Sequence, residues 1–184
     1  YISKSRTPYL PYSSIILNEI LELTSPNNVH CSISGIREGV LALEYFKGVT
    51  NKQIFHNSLE YLAQKRGDLG FNFKRYYNFL KPIFDANDHF NDELLNLACV
   101  LSHMDWGLGA FQKAELVFNE TLNTPLLRLT HNDRIKLAWA CYWRYFSIKY
   151  NPQIEYLKYL NNNEIFSSKQ VGSALRFANS LTSI

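Results

Sequence analysis

The run Asp92-Glu93-Leu94-Leu95-Asn96-Leu97-Ala98-Cys99-Val100-Leu101-Ser102-His103-Met104 decides the fold class. Leu94, Leu97, Ala98, Leu101 and Met104 recur at helical spacing and make one apolar stripe. The acidic pair Asp92-Glu93 stands at the start, where the positive end of a helix dipole favours carboxylates. Gly107-Leu108-Gly109 breaks the pattern. The far end of this helix, through Ser102, His103 and Asp105, carries the densest polar cluster in the chain.

The same period recurs on both sides. Upstream, Ile54, Ser58, Leu59 and Leu62 mark one helix, stopped by the glycines Gly67 and Gly70. Phe73, Tyr76, Tyr77, Leu80 and Phe84 mark another, with Pro82 near its bend or end because proline lacks the N–H that a helix interior needs. Downstream, Phe111, Ala114, Val117 and Phe118 predict a short helix, and Ile135, Ala138, Trp139, Tyr142 and Tyr145 a longer one. Asn151-Pro152 reads as a turn, residues 154–160 as a brief helix, Asn161-Asn162-Asn163 as a loop, and Val171, Ala174, Leu175, Ala178 and Leu181 as the last helix. No internal repeat is visible.

The first 47 residues read differently. Pro8 and Pro11 open a helix whose apolar residues Ile16, Leu17, Ile20, Leu21 and Leu23 end near Ser25-Pro26. Val29, Cys31 and Ile33 then alternate with His30, Ser32 and Ser34, the period of a strand, which Gly35 closes. Ile36, Val40, Leu41 and Leu43 resume a helix. A lone strand cannot be buried by itself, so a helix-strand-helix unit of this size must lean on the helices or on a missing partner. Together with a first residue that is Tyr1 rather than Met, this predicts a fragment. The expected domains are 1–47, the edge of an α/β domain, and 48–184, a helical domain, with the boundary near Gly48 and Thr50-Asn51.

Composition narrows the classes. An apolar fraction of 46% with 12 Tyr and 12 Phe offers the surface that disordered chains lack. No apolar run reaches the roughly 20 residues that span a bilayer, and there is no signal-peptide pattern. Cys31, Cys99 and Cys141 lie in apolar segments without CxxC spacing, so they read as buried small hydrophobes in a reducing cytoplasm rather than as disulfides or zinc ligands. A net charge of +3 with dispersed basic residues is compatible with a polyanionic ligand and does not require one.

Three stretches, in order, carry a resemblance. Leu10-Pro11-Tyr12 and its helix lead into Ser32-Ile33-Ser34-Gly35-Ile36-Arg37-Glu38-Gly39-Val40-Leu41. Leu97-Ala98-Cys99-Val100-Leu101 runs on to Trp106, accompanied by Leu137-Ala138-Trp139-Ala140-Cys141-Tyr142-Trp143-Arg144-Tyr145. Gly172-Ser173-Ala174-Leu175-Arg176-Phe177-Ala178-Asn179-Ser180-Leu181 is the third. They resemble the C-terminal portion of the exopolyphosphatase/guanosine pentaphosphatase family, in particular its alphaproteobacterial members, and Arg37-Glu38-Gly39 is the most specific match.

The resemblance implies a mainly α chain: an HD-like helical domain preceded by the end piece of an actin-like (ribonuclease H-like) domain. The full-length protein would remove terminal phosphates from inorganic polyphosphate or the 5′-phosphate of guanosine pentaphosphate. It would use Mg2+ and carboxylates outside this chain, as a cytoplasmic homodimer, with no membrane or nucleic-acid partner. This chain would aid polyanion binding and dimerisation, with no catalytic residue, cofactor or metal of its own.

A working HD centre needs two imidazoles and two carboxylates converging on a divalent cation. With Trp106 placed on the family's tryptophan, Ser102 and His103 stand at the His-Asp positions, Asp105 where Gly is usual, and Tyr145 at a later His position. His103 and Asp105 then read as groups that cap the helix end. Arg37 can touch a phosphate at the lip of the catalytic cleft or pair with a carboxylate at a domain junction, and its neighbour Glu38 favours the second. Arg128, His131, Arg134 and Arg144 are candidate phosphate contacts, along with Lys65-Arg66 and Lys74-Arg75, because guanidinium offers paired donors and ammonium a point charge. Trp106, Trp139 and Trp143 sit at helical spacing and read as core rather than as base-stacking platforms. Two alternatives stand beside this: an independent HD-type metal phosphohydrolase built on His103 and Asp105, and a purely structural helical module that dimerises.

Overall fold

Among the described residues the apolar stripes at helical spacing become helices, and Met104, at the end of the stripe that starts at Leu94, lies outside those residues. The computed structural model describes residues 4–29, 35–65, 73–84, 89–103, 109–126, 129–146 and 155–182, and among them there is helix and no strand. Of the strand expected over residues 29–34, only Val29 lies inside the described residues. Contacts divide the chain into two units, Tyr1–Gly35 and Ile36–Ile184.

The first unit holds a 3-10 turn, Thr7–Tyr9, and α1, Leu10–Thr24. Pro8 and Pro11 sit at the two openings, where a missing N–H costs nothing. α1 stops at Ser25, which takes the left-handed conformation and donates its N–H to the Leu21 carbonyl at 2.9 Å. Its apolar residues Tyr12, Ile15, Ile16, Leu17, Ile20 and Leu23 are exposed.

The second unit runs α2 (Ile36–Tyr45), α3 (Asn51–Lys65), α4 (Phe73–Phe84), α5 (Asp92–Leu101), α6 (Ala110–Asn123), α7 (His131–Tyr145), a 3-10 turn (Glu155–Tyr159) and α8 (Asn162–Thr182). Several of these helices start on reciprocal caps. Thr50 pairs with Gln53, Thr130 with Asp133, and Asn161 with Glu164, while Asn91 Oδ1 accepts from Leu94 N at 2.9 Å. Two expectations change here. Asn161-Asn162-Asn163 is not a loop: Asn161 caps α8, and Asn162 and Asn163 form its first turn. The helix read as short from Phe111 to Phe118 is α6, 14 residues long.

α7 is the axis of this unit. Every residue from Arg134 to Arg144 is buried, because α6, α8 and α5 enclose it. One face, Leu137, Ala140 and Cys141, joins a core with Leu94, Leu97, Ala98 and Leu101 of α5, Tyr76, Leu80 and Phe84 of α4, and Val171, Leu175 and Ala178 of α8. The other face, Ala138, Trp139, Tyr142 and Trp143, packs with Ala114 and Phe118 of α6 and with Phe146. The rings of Trp139 and Tyr142 stack at 5.1 Å and those of Trp139 and Trp143 meet edge-on at 5.6 Å. Trp139 and Trp143 are therefore core residues, and Trp106 lies outside the described residues. Gly172 lets α8 press on α7: a Cβ there would stand 2.3 Å from the Ala140 carbonyl oxygen and 2.6 Å from Trp143 Cβ.

Candidate functional site

Helix ends and one long cation build the polar centre of the second unit. α5 stops at Ser102, whose N–H reaches the Ala98 carbonyl and whose side chain is fully buried. Across from it, the last turn of α7 brings Arg144 and Tyr145. Arg144 Nη1 donates to Ser102 Oγ at 2.9 Å, and the Tyr145 hydroxyl donates to the Ser102 carbonyl oxygen at 2.8 Å. Arg144 Nη2 donates to Asn179 Oδ1 on α8 at 2.9 Å, and the Tyr76 hydroxyl on α4 donates to the same oxygen at 3.0 Å. Four helices meet at one guanidinium.

That guanidinium is packed as well as bonded. The rings of Tyr76 and Tyr145 each lie 5.4 Å from its central carbon, two cation–π contacts inside the fold. Arg144 is 4% exposed. The neighbouring Cys99 thiol is pushed above its ordinary range by burial and by Cys141, with the Arg144 charge pulling the other way. It stays a protonated thiol, without the thiolate character that makes a cysteine nucleophilic.

The residues singled out in the sequence fall into distinct places. Ser102, Arg144 and Tyr145 come together, and His103, half-buried, follows them at the end of α5. Asp105 and Arg128 lie outside the described residues. Arg37 is exposed in the first turn of α2 beside Glu38, and His131 is exposed at the first position of α7. Arg134 is not on the surface: its Nη1 and Nη2 donate to the carbonyls of Thr124 and Leu126, both at 2.6 Å, and pin the loop between α6 and α7. Arg144 is likewise turned inward. The two arginines stand on the order of 15 Å apart along α7, at about 1.5 Å per residue, so they do not form one phosphate-facing patch. Lys65, Lys74 and Arg75 are exposed, and Arg66 lies outside the described residues.

Tyr76 stands in the sequence as part of a helical pattern and Asn179 as part of the third resembling stretch, neither as a member of this centre. The available signal was Asn179 itself, a carboxamide directly after Ala178 on the buried stripe of α8, which needs polar partners there. Among the described residues, no three His, Cys, Asp or Glu side chains gather where they could share a cation, and no helix is long and apolar enough to cross a membrane. No protein-family model matches the chain, and no curated protein and no solved structure matches it.

Proposed function

We propose that this chain is the C-terminal region of an exopolyphosphatase/guanosine pentaphosphate phosphohydrolase. Its helical part is HD-like and non-catalytic, and it follows the end piece of an actin-like domain. The observation that carries this reading is the meeting of Ser102 with Tyr145, 43 residues apart in sequence. The resemblance equates one with the metal-binding pair of an HD centre and the other with a later metal-ligating His, and ligands of one cation must converge.

The chemistry of the centre favours a clamp over a metal site. A hydroxyl, two phenols and a carboxamide surround Arg144, which brings its own positive charge. A guanidinium repels a divalent cation by several kcal/mol at about 4 Å in a protein-like dielectric. On the resemblance, hydrolysis would belong to Mg2+ and carboxylates elsewhere in the full-length protein, in the cytoplasm. Exposed basic side chains such as Arg37, Lys65, Lys74 and Arg75, with His131 as a further hydrogen-bonding group, are available to a polyphosphate or pentaphosphate chain. Exposed Phe79 and Ile83 of α4, with Phe177 and Leu181 of α8, offer apolar surface to a homodimer.

Titration of the purified chain with long-chain polyphosphate at increasing ionic strength tests the polyanion role. Binding that weakens steeply with salt is expected, since several phosphate contacts release counterions together. No binding at low salt would count against the polyanion role and in favour of the dimerising module. Elemental analysis addresses the rival: a stoichiometric transition metal in the purified protein would favour an independent HD-type metal phosphohydrolase.

A further inference from the structure

We draw no further inference here: the strongest candidate, the mostly apolar groove between Ile54, Tyr61 and Leu62 of α3 and Pro125 and Leu126 after α6, is open to solvent, and nothing in the structure shows what covers it.

Discussion

Arg144 Nη1 donates to the Ser102 hydroxyl at 2.9 Å across 42 residues of sequence, tying the end of α7 to the end of α5. The same guanidinium reaches Asn179 on α8, so one side chain holds three helices in register. Buried polar groups of this kind are costly when half of the set is removed.

Arg144→Met keeps length and apolar bulk but leaves Ser102 Oγ and Asn179 Oδ1 without their charged donor. A loss of about 2–4 kcal/mol is expected, read as a lowered urea midpoint with an unchanged m-value. Ser102→Ala alone costs about 1–3 kcal/mol, by leaving a buried donor unmet. The double variant is expected to be less destabilised than the sum, with a coupling of about 1 kcal/mol or more. Strict additivity would show that the two side chains do not act together.

Gly172→Ala and Gly39→Ala are expected to move stability in opposite directions. At Gly172 the added carbon meets the Ala140 backbone and Trp143 Cβ inside 3 Å, and a backbone carbonyl cannot swing aside. The clash is expected to outweigh the helix-propensity gain, for a net loss of about 1–3 kcal/mol. At Gly39, on exposed α2, a Cβ meets nothing within 4 Å, and the gain of about 0.5–1 kcal/mol stands alone. Thermal or urea unfolding of the two variants checks both signs.

The helical stripes were legible because burial and period coincide: Leu94, Leu97, Ala98 and Leu101, or Tyr76, Leu80 and Phe84, are buried as their spacing predicts. The start of α8 was hidden by composition. Three asparagines look like a loop until Asn161 and Glu164 exchange hydrogen bonds at 2.9 Å in each direction. The length of α6 was hidden by its polar side, where Asn119 and Asn123 each bond back to the carbonyl four residues earlier. Arg134 and Arg144 read from sequence as candidate phosphate contacts, which need an exposed guanidinium, and both are buried. A helix enclosed on all sides has no solvent face, and a local pattern cannot reveal that. The centre is half legible: the sequence singles out Ser102, Arg144 and Tyr145, while Tyr76 and Asn179 join them only through tertiary packing.

Acid is expected to remove a defined part of the stability through Asp133. Burial pushes its carboxyl up, but hydrogen bonds from Lys136 and the Thr130 hydroxyl and the Lys136 charge hold it below the usual carboxylate range. A folded pKa below the unfolded one gives stability that is present above about pH 4 and lost as pH falls through the folded value. Asp133→Asn should therefore cost about 1 kcal/mol at pH 7 and progressively less below pH ~4. Urea midpoints of both proteins across pH 2–7 test this, and a penalty that does not shrink in acid would contradict it.

Cys99 and Cys141 are expected to resist thiol reagents in the native state. Both are buried, and the Cys99 thiol is held protonated by its surroundings. Peptide mapping after brief labelling at pH 8 should find them modified only once the chain is unfolded. Rapid native labelling of Cys99 would show that the α5–α7 core opens.

Sustained phosphate release is the most direct measure of whether this chain is a non-catalytic C-terminal region. With Mg2+ and long-chain polyphosphate, the purified, folded chain is expected to release no phosphate above the protein-free rate. Multiple turnovers at the rate of a complete phosphatase, retained after repurification, would contradict it.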